Sequence, residues 1–94
     1  MTTRTTHVTK WYVYLLESAK GRTYVGCTID LDRRLNEHNG FMPGGAKSTR
    51  GFRPWHVLRT WGPYPNRSVA QRIETLIKKQ PGKLRRTYVL PASV

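Results

Sequence analysis

WYVYLLESAKGRTYVGCT, residues 11–28, holds two runs of aromatic and aliphatic residues, Trp11–Glu17 and Thr23–Thr28, neither with helical spacing. Ser18, Ala19, Lys20 and Gly21 separate them with turn-forming chemistry, so the stretch reads as a β-hairpin and commits the chain to an antiparallel sheet. Alternation puts Tyr12, Tyr14 and Leu16 on one face of the first strand and Trp11, Val13 and Leu15 on the other. One face therefore carries phenolic hydroxyls that must find water or a partner. Gly26, two residues after Tyr24, lets another group come close to the second strand.

Working outward, DLDRRLNEHNG (residues 30–40) has an N-cap at Asp30 or Thr28, acids in its first turn, Leu31 and Leu35 four apart and Gly40 past its end, a short amphipathic helix. GFMPGGAKSTRGFRP (40–54) is rich in glycine and cations and reads as a basic surface loop. Residues 55–61 form a third strand and 62–65 a turn. A longer helix then starts at Asn66 or Ser68, presents Val69, Ile73, Leu76 and Ile77, and ends near Lys79 or Gln80 before Pro81 and Gly82. The order implies an α/β layered domain with a small sheet. Residues 1–10 are expected to be a flexible leader, 11–90 one domain and 91–94 a tail.

With 94 residues there is room for one core only. Seventeen Lys and Arg against five Asp and Glu make the net charge +12, which points to a polyanionic partner, nucleic acid first. The excess is uneven: residues 38–94 contain eleven basic residues and a single acid, Glu74. The lone Cys27 excludes an internal disulfide and a cysteine-rich zinc module and suits a reducing compartment. No apolar run approaches the ~20 residues of a membrane span, so the expectation is a soluble, intracellular chain that does not engage membranes.

Few residues stand out for chemistry. Gly40–Ser48 nearly matches a phosphate-binding loop, but Ala46 separates Gly45 from Lys47 and no parallel strand leads into it, which rules out a nucleotide site of that kind. Lys47, Arg50 and the flanking Arg53 can still hold a nucleic-acid backbone. His38 follows Arg34 by four residues, so one helix face offers a guanidinium for phosphate and an imidazole for a proton; an ordinary polar helix surface would look the same. Arg33 and Glu37 form a surface i, i+4 pair. Glu74 can pair with Lys78, and Lys78 can alternatively meet phosphate. A carboxylate among so many cations opposes polyanion binding unless it seats a divalent metal such as Mg²⁺, which takes one or two carboxylates with water and phosphate.

Taken together, the chain resembles the GIY-YIG nuclease superfamily, through Tyr12-Val13-Tyr14, Tyr24-Val25-Gly26 nine residues further on, Arg34 and His38 on the next helix, and Glu74 on the later one. GRTYVGCT, DLDRRLNEHNG, GGAKSTR and RPW look most like the small stand-alone members and the catalytic domain of the eukaryotic endonuclease that cuts branched DNA. The resemblance implies a three-stranded antiparallel sheet flanked by helices and phosphodiester hydrolysis with Mg²⁺ or Mn²⁺. It further implies Tyr14 as general base, Tyr24 as positioner of water or phosphate, Arg34 as stabiliser of phosphate charge, His38 as proton handler or phosphate positioner, and Glu74 as the sole protein ligand of the metal. Two departures are visible: the first motif reads YVY, and no cysteine-rich module follows. The expected activity is a DNA endonuclease acting on branched, flap or single-stranded substrates, as a monomer or weak homodimer with an unidentified protein partner possible. The competing expectation is a nucleic-acid binder that keeps the fold without the catalysis.

Overall fold

The central strand explains why residues 11–18 are apolar at nearly every position. The protein, a computed structural model describing residues 9–92, orders its sheet β2–β1–β3, so that β1 (Trp11–Ser18) is paired on both sides and covered on both faces. A strand buried on two faces loses the alternation of a half-exposed one. β2 (Thr23–Thr28) pairs antiparallel with β1, placing Tyr14 opposite Gly26 and Leu16 opposite Tyr24. β3 (Trp55–Tyr64) pairs antiparallel on the other edge, with irregular register after Trp11 and after Leu15.

Helix α3 (Arg67–Lys78) covers one face. Ala70, Ile73 and Ile77 bury against Val13, Leu15, Val25 and Trp61, so the buried stripe runs through Ala70, while Val69 and Leu76 lie at its margins. Asn66 is the cap, its side chain accepting from the Val69 amide at 2.9 Å. The opposite face holds Tyr14, Leu16 and Trp55 with Tyr24, Leu31, Leu35, Phe52 and Val57, under helix α1 (Leu31–His38). Asp30 caps α1 through the Arg33 amide, and Gly40 at φ +83° ends it.

Two expectations need correction. The turn read at residues 62–65 is largely strand: β3 continues through Gly62 and Pro63 to Tyr64, because pairing with Trp11 carries it past the glycine. The basic loop at 40–54 contains a helical turn, α2 (Lys47–Arg50), anchored by Thr49. After α3 a 3₁₀ turn, Gly82–Thr87, folds back toward the hairpin, and Arg59 Nη1 donates to the Tyr88 carbonyl at 2.6 Å to hold the chain beyond it. The leader expected at 1–10 falls on residues 1–8 outside the described ones, except Thr9 and Lys10, and the tail likewise ends outside them at 93–94. No helix among the described residues is long and apolar enough to cross a membrane.

Candidate active site

The two strand motifs meet across the β1–β2 ladder. Tyr14 leans over β2 into the space that Gly26 leaves: a Cβ on Gly26 would lie 2.6 Å from Cζ of the Tyr14 ring. The close approach expected at Gly26 is therefore made by the other motif's tyrosine. Tyr14 is only 1% exposed, yet its hydroxyl is satisfied, 2.8 Å from His38 Nε2.

Helix α1 delivers His38 by crossing the same face. His38 is fully buried, which overturns the reading of it as part of a polar helix surface. Its other ring nitrogen, Nδ1, lies 3.1 Å from Thr49 Oγ1, and that hydroxyl donates its one proton to the Ala46 carbonyl at 2.7 Å. Thr49 can then only accept from the imidazole. The proton of neutral His38 accordingly sits on Nδ1, and Nε2 accepts from the Tyr14 O–H. Burial, reinforced by the Arg34 and Arg53 cations, pushes the His38 pKa down to about 4, so the ring is neutral at physiological pH. Burial likewise raises Tyr14 far above the ordinary phenol range, against the opposing pull of Arg34 facing its hydroxyl.

Arg34 is held from two directions, its Nη1 donating to Glu37 Oε1 at 2.7 Å and to the Gly44 carbonyl at 2.8 Å. Glu37 also accepts from Arg33 Nε at 3.2 Å, so its carboxylate, held well below the usual range by the Arg34 hydrogen bond, serves both arginines. Tyr24 is half-buried, its ring centroid 4.7 Å from that of His38. Beside them, Thr28, Ile29, Asp30, Arg33, Arg34 and Glu37 line a groove of about 250 Å³.

The structure thus gathers Tyr14, Tyr24, Arg34 and His38 on one face of the sheet. Glu74 is placed on the other. It projects from α3 beside Cys27, whose thiol is pushed up to about 11 by burial and then by that carboxylate, and it pairs with Lys78 Nζ at 2.6 Å. Lys47 and Arg50 are exposed on α2, directly flanking Thr49. Arg53 is partly committed to the backbone, donating from Nε to the His38 carbonyl at 2.6 Å. The sequence reading missed Thr49, which no local spacing ties to α1. It also treated Glu37 as a partner of Arg33 alone, although Arg34 at i, i+3 was an equally available signal.

The chain matches the GIY-YIG catalytic domain over residues 10–88. It belongs to the GIY-YIG family. It is similar to a UPF0213 protein of Nitratidesulfovibrio vulgaris, 45% identical over 71 residues, which are 76% of this chain and 62% of that one. It is also similar to the structure-specific endonuclease subunit slx1 of Schizosaccharomyces pombe, 40% identical over 65 residues, covering 65% of this chain and 24% of the relative. The chain therefore spans less than two thirds of either relative. The solution NMR structure of the UPF0213 protein BH0048 from Bacillus halodurans aligns with 36% identity and a TM-score of 0.48 over 83% of this chain and 80% of that one. In GIY-YIG terms, the first-motif tyrosine and the second-motif glycine form one interlocked pair here.

Proposed function

We propose that this chain is a divalent-metal-dependent DNA endonuclease that hydrolyses phosphodiester bonds in branched, flap or single-stranded DNA. The observation that carries the reading is the buried hydrogen-bonded series from Tyr14 through His38 to Thr49, with the Arg34 guanidinium beside its outer end. A buried tyrosine is a poor base as a phenolate, since burial penalises the charge. The series avoids that state. As an attacking water gives its proton to the Tyr14 oxygen, Tyr14 passes its own proton to His38 Nε2, while Nδ1–H keeps its hydrogen bond to Thr49; burial and the Arg34 and Arg53 cations oppose the imidazolium, so the transfer depends on the phosphate anion being seated at Arg34 first. The hydroxide forms the new P–O bond as the bond to the leaving sugar oxygen breaks and that oxygen takes a proton from solvent. Arg34, oriented by Glu37 and Gly44, meets the charge developing on the phosphate. Tyr24, at the half-buried rim, positions the water or the phosphate. Lys47 and Arg50 take flanking phosphates.

The donor set fits a hard cation. Among the described residues no group of three or more His, Cys, Asp or Glu side chains could enclose a metal, so Glu74, 18% exposed, would act as a single oxygen donor. That suits Mg²⁺ or Mn²⁺ completed by water and substrate phosphate and does not suit a metal wanting nitrogen or sulfur. Such an ion would polarise the phosphate and lower the pKa of water. Lys78, 50% exposed, is free to leave Glu74 for a phosphate.

A second reading, a non-catalytic nucleic-acid binder, draws support from the same 2.6 Å Glu74–Lys78 pair, which already neutralises the acid. One panel separates them: single-stranded, duplex, flap and four-way DNA, plus RNA, incubated with and without Mg²⁺ and with wild type or Glu74→Gln. The enzyme reading expects metal-dependent cleavage that falls at least a hundredfold in Glu74→Gln, with binding level or tighter because a repulsive charge is gone. Cleavage of nothing by wild type promotes the binder. Wild-type rates from Glu74→Gln remove it as the metal seat.

A further inference from the structure

A cavity of about 620 Å³, separate from the tyrosine site, lies on the α3 side of the sheet, between the hairpin turn and the 3₁₀ turn. Leu15 and Leu58 contribute to its floor, Gly21, Arg22 and Thr23 of the hairpin line one side, and Lys83, Arg85 and Arg86 line the other, some sixty residues on. Their charges are not equally balanced. Arg86 is neutralised by Glu17, its Nη2 lying 3.0 and 2.9 Å from the two carboxylate oxygens. Arg85 is fixed by three neutral acceptors, the Gln80 and Lys78 carbonyls and Thr23 Oγ1, at 3.0, 3.0 and 3.1 Å, so it is rigid and keeps its whole charge. Arg22 lines the rim, but its guanidinium turns to the opposite face of the sheet, its carbon 4.5 Å from the centroid of Phe52, and so does not serve the groove. Lys83 is exposed and has no hydrogen-bond partner among the described residues. Glu17 is the only acid in the lining, and no aromatic ring is present there to stack a base.

We propose that this groove is a second nucleic-acid site, binding the sugar–phosphate backbone away from the scissile phosphate through Lys83 and Arg85. Preorganised, unneutralised cations without a stacking surface recognise phosphates and not bases. The connection to the candidate site is β2 itself. Cys27, beside Glu74, and Thr23, bonded to Arg85, are four residues apart on that strand, or about 13 Å at ~3.3 Å per residue. Phosphates of one duplex strand advance ~3.4 Å per step, so the groove meets DNA about four nucleotides from the position being cut. The inference rests on the reading of the chain as acting on DNA, and it extends that reading by a footprint.

The test is Lys83→Gln, which leaves the structural Arg85 in place, against Arg72→Gln, which removes the same charge elsewhere. Binding of labelled flap DNA is measured by anisotropy across salt concentrations. Each phosphate contact contributes about 0.9 to the slope of log K against log salt, so the groove variant should lose about 0.9 of slope and at least threefold in affinity at 0.1 M salt, while kcat at saturating DNA stays within twofold. The charge-conserving Lys83→Arg should recover most of the affinity. Trimming the DNA arm to two nucleotides beyond the cut should weaken wild type more than the groove variant. Equal losses in the two charge-matched variants, or equally effective competition by poly-glutamate, would overturn the assignment. If wild type binds in this pattern but cuts no substrate, the groove stands and the endonuclease reading falls.

Discussion

Substituting Gly26 by alanine tests whether the two strand motifs are one mechanical unit. Gly26 does not have a positive φ, so its backbone places no bar on a side chain. On propensity alone, alanine in place of a strand glycine stabilises by roughly 0.5–1 kcal/mol. The structure reverses the sign. The new Cβ would sit 2.6 Å from Tyr14 Cζ and needs 3.4 Å for ordinary contact, so the ring must move by 0.8 Å in a site where it is 1% exposed. Overpacking of this kind costs about 1–3 kcal/mol. A shift of that size also breaks the 2.8 Å bond to His38 and leaves a buried ring nitrogen without its donor, about 1–3 kcal/mol more. Net of the propensity gain, Gly26→Ala should destabilise by about 1–5 kcal/mol, read as a lower urea midpoint with unchanged m-value. In a Tyr14→Phe background the hydrogen bond and the nearest clashing atom are already gone, so the same substitution should cost at least 1 kcal/mol less. A variant as stable as wild type would refute the reasoning, as would a double-mutant cycle that closes to within about 0.5 kcal/mol.

Arg34→Ala should lower turnover by two orders of magnitude or more while weakening DNA binding only a few-fold in salt-matched titrations; a loss confined to binding makes Arg34 a plain phosphate contact. Thr49→Val removes the acceptor that keeps the His38 proton on Nδ1 and should cut kcat at least tenfold without changing affinity, with Thr49→Ser restoring most of it; equal activity of the two variants would refute the assigned tautomer. His38 titrates near 4 in the folded chain and near 6.5 unfolded, so the unfolded state takes up the proton first as pH falls. Its contribution to unfolding free energy is complete above about pH 6.5 and is lost toward pH 4, on the order of 3 kcal/mol, visible as a steeper acid limb in wild type than in His38→Gln. Identical limbs would show that the ring is not held neutral.

How much of this was readable in advance follows the range of the interactions. The hairpin and both helix caps come from neighbours within a few residues, and each is visible in residues 11–40 and 66–78, whereas the burial of β1 on both faces depends on β3 and α3, far along the chain. Gly26 was readable as a point of close approach, though not what approached. His38 was not readable as buried, because α1 has a thin apolar stripe and the groups that enclose its last turn come from residues 45–55. There Gly45 packs against the α1 backbone, Thr49 takes the imidazole proton, and the Asn39 side chain brackets Trp55, accepting from its amide at 2.6 Å and donating to its carbonyl at 2.9 Å. A loop that looks like solvated punctuation is the lid on the histidine. The strand end at Tyr64 was hidden for a related reason, since Gly62 and Pro63 signal a turn locally while pairing to β1 decides otherwise.

The placement of Glu74 sharpens what its solitude means. A lone carboxylate in a basic half-chain could have stood next to Arg34, where a guanidinium would have neutralised it. The fold keeps them on opposite faces of the sheet. The two halves of the proposed set nonetheless converge on consecutive residues of one strand: Gly26 turns toward Tyr14, and Cys27 turns toward Glu74. β2 is one of the two edges of the sheet, and the faces meet along it. A phosphate that answers to both Arg34 and a cation on Glu74 must therefore ride the β2 edge, and DNA lying flat on either face would reach only half of the machinery. A backbone that crosses an edge has to turn, which a flap, a junction or a single strand does more cheaply than a straight duplex. The proposed preference for branched or flexible DNA would then follow from the edge position of β2, without any element that reads bases.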